Sequence, residues 1–358
     1  MASLPSLTPT PACHGVFKAE PEDFQVEEIP KITPEGAGSH CWLWIEKIGL
    51  TTPEAARRLA DALGAQRREV GWAGLKDRHA KTRQWISIPA AAPEDALALE
   101  LPGIRVLRAA AHPRKLKSGV AQGNRFVLRI REVAEEAHGQ LETSLATLTS
   151  RGVPNYFGTQ RFGRDGENLG RARAWLVDGG RAPRDRFRRK LFVSVLQSAA
   201  FNDVLAARIQ GETLDRALMG DVMKKVESGG VFVSDDPLTD QKRIETWEIS
   251  PTGPMFGSKM RRATSDAEAL EAKVEAAHGL GPSVYRAMGR LGPGTRRPLR
   301  VKLSDVVTGW TDDTFTLSMT LPAGAYATEV LRELFKDGLI DGSRQIVCHD
   351  SRPEGNNS

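Results

Sequence analysis

Cysteine, paired histidines and long apolar runs are scarce in this sequence, and each scarcity argues against a class of protein. The three cysteines, Cys13, Cys41 and Cys348, are far apart and form no CxxC pair. This disfavours a disulfide framework or a zinc site and favours a reducing cytoplasm. The seven histidines form no HxH or HxxxH pair, so a metal enzyme is disfavoured. No segment approaches the roughly 18 apolar residues of a membrane span.

Motifs for phosphate binding and secretion are also missing. Gly158 and Gly163 have the GxxxxG spacing, but Arg164 and Asp165 follow where a phosphate loop has Lys and Ser or Thr. The first twelve residues lack the basic and long apolar regions of a signal peptide. We therefore expect no binding of a nucleoside triphosphate, and a short disordered tail over residues 1–14.

Length and charge favour a two-domain protein with an anionic partner. The chain has 358 residues, which at roughly 150 residues per domain predicts about two domains. Its net charge is +5. The stretch from Arg181 to Lys190 holds five arginines and one lysine against one aspartate, and further basic clusters lie at 259–262 and 290–300. Such clusters are usually solvated surfaces, but together they favour a groove that follows a phosphate backbone.

The pattern along the chain predicts a mixture of strands and helices. Either Thr51 or Thr52 can cap a helix that ends at Gly64. Residues 123–131 alternate, with an apolar face that includes Asn124 and Phe126 and a basic opposite face. The composition changes near residue 153, after which glycine and arginine become frequent. We therefore predict one domain from residues 15–153 and 301–345, an inserted domain at 154–300, and a disordered tail at 346–358.

A charged loop between two predicted strands contains Lys76, Asp77 and Arg78. Two flanking strands would hold this loop in place and leave the Asp77 side chain accessible, which is an arrangement typical of functional residues. A carboxylate nucleophile needs no general base, and the nearby Lys76, Arg78 and Lys81 would hold Asp77 ionised. An ordinary solvated turn explains the same pattern. Likewise Phe24, Phe126 and Tyr326 are either core residues or stacking surfaces for a base.

Several segments in order resemble the TruD family of tRNA pseudouridine synthases. They are residues 18–24 (KAEPEDF), 73–85 (AGLKDRHAKTRQW), 123–126 (GNRF), 153–163 (VPNYFGTQRFG) and 321–334 (LPAGAYATEVLREL). The resemblance implies an α+β fold: a pseudouridine synthase core with a mixed, largely antiparallel sheet flanked by helices, and an inserted α/β TRUD domain. It also implies the isomerisation of uridine to pseudouridine at position thirteen in the D-arm of tRNA.

The resemblance further assigns roles to individual residues. Asp77 matches the catalytic aspartate, and Arg332 resembles the arginine that pairs with it. Phe24, Asn124 and Tyr326 match positions that contact the target nucleotide, although the family usually has Phe where this chain has Tyr326. We expect Phe126, Lys76 and Arg78 to line the same site.

The implied reaction is an isomerisation, which requires neither a redox cofactor nor a metal. We expect tRNA as the partner and no obligatory protein partner. Two rival functions remain open. One is a non-catalytic RNA-binding or RNA-folding protein on the same scaffold, and the other is a glycosidase that releases uracil.

Overall fold

The structure, a computed structural model, describes residues 4–9 and 13–343. Within them the α-helices are α1 Thr52–Ala62, α2 Pro93–Leu97, α3 His138–Arg151, α4 Glu167–Leu176, α5 Arg186–Gln210, α6 Pro237–Glu245, α7 Ser265–Ala277, α8 Pro282–Met288 and α9 Ala327–Phe335. The strands are β1 Gly15–Phe17, β2 Phe24–Pro30, β3 His40–Lys47, β4 Gly71–Trp72, β5 Lys81–Pro89, β6 Ile104–His112, β7 Ala121–Arg131, β8 Val153–Pro154, β9 Val222–Lys225, β10 Val231–Val233, β11 Ile249–Met255, β12 Thr295–Pro298, β13 Arg300–Val301, β14 Ser304–Thr311, β15 Thr314–Pro322 and β16 Leu339–Asp341.

The chain divides into two compact units. The sheet unit comprises the described residues of 11–143, 303–327 and 334–358, and the helical unit those of 1–10, 144–302 and 328–333. Our domain boundaries at residues 153 and 301 stay predictions. Part of the tail that we expected to be disordered makes specific contacts, because Leu7 and Thr8 donate backbone hydrogen bonds to the buried Glu333 carboxylate in the helical unit. The predicted tail at 346–358 lies outside the described residues.

The sheet unit is organised by one ten-stranded sheet. Its main path runs β14-β15-β7-β2-β5-β3-β6. The pairs β2–β5 and β1–β16 are parallel, and the other pairs are antiparallel. The expected mixed, largely antiparallel α+β fold is therefore confirmed.

Helix α1 begins where the sequence signals place it. Thr51 is the cap: its hydroxyl accepts from the Glu54 backbone N–H, and the Glu54 side chain accepts from the Thr51 backbone N–H. The apolar side of the helix, including Ala56 and Leu59, packs on buried residues of the sheet such as Leu43 and Ile86. This capping box fixes where the chain leaves the sheet, because it satisfies amide groups that the helix itself cannot satisfy.

The helical unit has its own small sheet, in the order β10-β9-β11-β12. Helix α5 is its longest helix among the described residues and supplies buried residues to two apolar clusters, for example Val195 to one and Val193 to the other. The helix begins at Arg186, because Asp185 caps it. The expected α/β class of the inserted domain is thus confirmed.

Candidate active site

One face of the sheet carries a row of polar side chains among apolar ones, which we call the polar strip. Along β2 this face presents Phe24, Val26 and Glu28, since side chains alternate along a strand. The registers place Asn124 of β7 opposite Glu28, and Thr82 of β5 opposite Val26. The continuation of the same face on β5 and β3 includes the fully buried Gln84 and Lys47. Buried polar side chains need partners, and the loop before β5 supplies them.

That loop, residues 73–80, is tied to the polar strip at several points. The Lys76 backbone N–H donates to the Thr52 hydroxyl at 2.8 Å, and this hydroxyl donates to Gln84 Oε1 at 2.9 Å. The Lys76 ammonium lies 3.1 Å from a Glu28 carboxylate oxygen, with both side chains buried. Lys47 Nζ donates to the Asp77 backbone carbonyl at 2.8 Å. These contacts with the polar strip therefore fix the backbone of the loop that presents the Asp77 side chain.

Asp77 itself is accessible: its side chain is 39% exposed. One carboxylate oxygen accepts from Lys18 Nζ at 2.5 Å, and the other accepts from the His79 backbone N–H at 3.1 Å. Partial burial opposes ionisation, but the hydrogen bond and charge of Lys18, assisted by His79, outweigh it and hold the pKa of Asp77 below its usual value. A carboxylate in this state is charged and aimed, as a nucleophile requires.

The Lys18 side chain is buried against two aromatic rings where it makes this contact. Its side chain is only 9% exposed. The ammonium lies 4.5 Å from the Phe24 ring centroid and 5.0 Å from that of Phe17, and these two rings meet edge to face. The backbone of Lys18 lies in the left-handed region, at φ 60°, which costs energy for a residue with a side chain. Sequence reasoning missed Lys18, although it begins the KAEPEDF segment.

The other cations near Asp77 in the sequence have different partners. Lys76 pairs with Glu28, Arg78 with Glu54 and Lys81 with Glu46. The expectation that these three cations hold Asp77 ionised is therefore wrong, and Lys18 takes that role. The reason is geometric: the strand and loop contacts direct each of the three toward a nearby carboxylate. Arg78 is exposed and Lys76 is buried, and their roles in substrate binding stay predictions.

Lys47 adds a buried charge beneath the loop. Burial lowers the pKa of Lys47 to about 8, and the neighbouring Lys76 charge lowers it too, whereas Asp77 and Glu54 raise it. Its ammonium also donates to the Leu50 carbonyl at 2.6 Å. The Lys47 ammonium thus donates to two carbonyls, and these hydrogen bonds link the end of β3 to the start of α1 and to the Asp77 loop.

The predicted aromatic and amide residues lie on the same sheet unit. Phe24 and Phe126 are buried, with ring centroids 6.2 Å apart. Asn124 Oδ1 is buried and has no hydrogen-bond partner among the described residues. Tyr326 is 48% exposed and follows the end of β15, in which Leu321 is the register partner of Asn124. The sheet brings Phe24, Asn124 and Phe126 onto the face over which the Asp77 loop lies.

Arg332 lies in α9, within the helical unit. It pairs with Glu329 at 3.0 Å and with Glu333 at 2.7 Å. It also donates to the Ser6 hydroxyl, and its guanidinium lies 5.0 Å from the Tyr156 ring centroid. The cation that the structure pairs with Asp77 is Lys18, and the pairing of Arg332 with Asp77 stays a prediction.

Neither a metal cluster nor a membrane helix is evident where the chain is described. Residues 4–9 and 13–343 contain no group of three or more His, Cys, Asp and Glu side chains placed to hold a metal. In the same residues no helix has both the length and the apolar character needed to span a membrane.

Comparison with known proteins decides the family. The sequence model described as tRNA pseudouridine synthase D (TruD) matches residues 5–176 and 185–334. The chain belongs to the TruD family. A TruD relative named tRNA pseudouridine synthase D, from Anaeromyxobacter dehalogenans (strain 2CP-C), is 44% identical over 345 residues, covering 94% of this chain and 97% of the relative.

Two further comparisons span the chain as broadly. A tRNA pseudouridine synthase D from Thermus thermophilus is 42% identical over 333 residues, covering 92% of this chain and 91% of the relative. A crystal structure of a protein described as a TruD from Methanosarcina mazei superimposes with a TM-score of 0.74 at 22% identity, covering 95% of this chain and 97% of that one. At that identity the likeness shows the fold, which is the TruD fold.

Proposed function

We propose that this protein isomerises uridine to pseudouridine in tRNA, at position thirteen of the D-arm, with Asp77 as the nucleophile. The observation that carries the proposal is the Lys18–Asp77 pair in a TruD-family chain: a partly exposed carboxylate, charged and aimed by one ammonium 2.5 Å away. The relatives' shared name supports tRNA as the substrate.

The reaction breaks the bond between the ribose C1′ and N1 of uracil and joins C1′ to C5 of the same base. The proton lost from C5 is balanced by the one gained at N1, so reactant and product are isomers. The target uridine first leaves its stack, because a nucleophile cannot reach it inside folded RNA. Asp77 then attacks the flipped nucleotide, at either C1′ or C6.

The remaining site residues hold the base while it is detached. Tyr326, half exposed beyond β15, stacks on the uracil, and its hydroxyl can add a polar contact. Asn124 has a buried side-chain oxygen without a partner in the described part of the chain. An unsatisfied buried acceptor costs roughly 1–3 kcal/mol, so a hydrogen bond from the base edge would be favourable. Phe24 and Phe126 support Lys18 and the floor of the site.

Lys18 is the charge partner of Asp77 in this proposal. Its hydrogen bond orients the carboxylate, and its positive charge disperses negative charge when Asp77 is released. The pairing of Arg332 with Asp77 is not part of this proposal, because the structure pairs Arg332 with Glu329 and Glu333. We also place the protein in the cytoplasm. Cys13 and Cys41 are free buried thiols, which agrees with a reducing compartment.

Analysis of product nucleosides tests the proposal. Unmodified tRNA is incubated with the protein, digested to nucleosides and separated by chromatography. We expect one uridine of the D-arm to become pseudouridine with no release of base. Free uracil would identify a glycosidase, and unchanged tRNA with intact binding would identify an RNA-binding protein; either result contradicts the proposal.

A further inference from the structure

An aromatic side chain lies exposed at the start of α5 in the helical unit. Phe187 is 73% exposed and is the second residue of the helix. Asp185 caps the helix, since its carboxylate oxygens accept from the Phe187 and Arg188 backbone N–H groups at 3.1 Å each. The helix start is therefore well defined, and Phe187 projects from an ordered turn.

Positive charge surrounds this ring and is not neutralised locally. Arg184, Arg186, Arg188 and Lys190 are all exposed, and none forms an ion pair with any residue that the structure describes. With Phe187 they form what we call the α5 cluster. Elsewhere in the same unit arginines have carboxylate partners: Arg151–Asp215, Arg208–Asp221, Arg243–Asp240, Arg262–Glu275 and Arg296–Glu271.

Asp185, the one carboxylate among residues 184–190, already has hydrogen-bond partners. Asp185 accepts hydrogen bonds from two backbone N–H groups, and an N-cap aspartate also interacts favourably with the helix dipole. The cations are thus left without a local counter-charge. An exposed ring among unpaired arginines and a lysine fits a ligand that has both an aromatic face and negative charge, as a nucleotide has.

We propose that the α5 cluster binds an unpaired nucleotide of the RNA substrate: Phe187 stacks on the base while Arg188 and Lys190 contact the flanking phosphates. The inference rests on the proposed function for the identity of the RNA. The nucleotide is unpaired because single-stranded RNA can present a free base face, whereas the bases of a duplex are stacked on each other. Stacking on a protein ring tolerates every base, so the contact adds affinity without reading sequence.

An anionic membrane surface fits these observations less well. An interfacial helix presents a long apolar face to the lipid, but the apolar residues that follow in α5, including Phe192, Val193 and Val195, are buried in the helical unit. A single exposed ring in the first turn supplies little area for insertion. It is enough to cover one base.

Binding measurements over a range of salt concentrations separate the two parts of this contact. Unmodified tRNA is titrated with the full-length protein and its variants. Phe187→Ala should weaken binding by about tenfold at every salt concentration and leave the slope of log K against log salt unchanged, because stacking releases no counterion. Phe187→Trp should bind like the wild type. Arg188→Gln and Lys190→Gln should each make that negative slope shallower, reducing its magnitude by about 0.7–0.9.

Leu238→Ala is the matched control. Leu238 is 83% exposed and is also the second residue of an Asp-capped helix, α6, but acidic residues flank it. Its loss should leave tRNA affinity unchanged. Equal affinities for wild type and Phe187→Ala, or equal losses for Phe187→Ala and Leu238→Ala, would overturn the inference. So would Phe187-dependent binding to phosphatidylserine vesicles with no effect of Phe187 on tRNA binding.

The outcome is separable from that of the proposed function. Binding of tRNA is measured without turnover, so it is informative even if no pseudouridine forms. If pseudouridine does form, Phe187→Ala should raise KM and leave kcat unchanged, since the α5 cluster contacts the RNA and not the reacting atoms. A lower kcat with unchanged KM would contradict the inference.

Discussion

Replacing Lys18 with methionine removes the ammonium beside Asp77 but keeps most of the side chain that packs against Phe17 and Phe24. A hydrogen bond to a charged group contributes roughly 1.5–3 kcal/mol. Because the Asp77 side chain is 39% exposed, solvent screens the pair and the lower end applies. About 1.5 kcal/mol corresponds to about a tenfold loss of kcat. We expect that loss near pH 7, with tRNA affinity within twofold of the wild type.

The same substitution should change the pH dependence in a fixed direction. Asp77 must be ionised to attack, so activity falls as the pH drops through its pKa. Lys18 holds that pKa below the usual value. The wild type should therefore stay active into the range where an ordinary aspartate is protonated. Without Lys18 the pKa of Asp77 rises, and the acid limb of the kcat profile should move to higher pH.

Single-turnover kinetics on unmodified tRNA across the acid range measure both effects. Lys18→Arg retains the charge and should recover part of the activity. Lys81→Met is the control, because Lys81 pairs with Glu46 and not with Asp77, and its profile should match the wild type. A Lys18→Met protein with wild-type kcat and an unmoved acid limb would refute the assignment of Lys18 as the charge partner.

Two further predictions address the base contact and the support under the loop. Tyr326→Phe should retain near-normal kcat/KM, whereas Tyr326→Ala should lose about tenfold or more in the same assay; equal activities would exclude stacking by this ring. Glu28→Gln leaves the buried Lys76 ammonium without its counter-charge and should destabilise the sheet unit by about 3–5 kcal/mol in urea unfolding. The exposed neighbour change Glu27→Gln should cost less than about 1 kcal/mol, and similar losses for both would contradict a buried pair.

Local signals in the sequence predicted the elements that carry the site. The capping box at Thr51 and Glu54 located α1, and the alternation in 123–131 predicted which face of β7 is apolar, since Phe126 is buried and Arg129 exposed. Asp77 lies, as predicted, between two strands, β4 and β5. These features depend on residues close together in the chain, which is why the pattern reveals them.

The electrostatic partners could not be predicted in the same way. Lys18 and Asp77 are 59 residues apart, and they meet only in the folded sheet, where β2, which follows Lys18, pairs with β5, which follows Asp77. Lysine at the end of a strand usually indicates exposure, yet Lys47 is fully buried because two carbonyls accept its hydrogen bonds. Strand β6, with three alanines in a row, gives a weak strand signal and is fixed by its partner β3.

The most direct test of the central claim is single-turnover formation of pseudouridine by Asp77→Asn. Asparagine keeps the size of the side chain and its capacity to accept from His79 but removes the nucleophilic charge. We expect no detectable pseudouridine in tRNA under conditions in which the wild type completes the reaction, with tRNA affinity within about twofold of the wild type. Turnover by Asp77→Asn at a rate near that of the wild type would contradict the account.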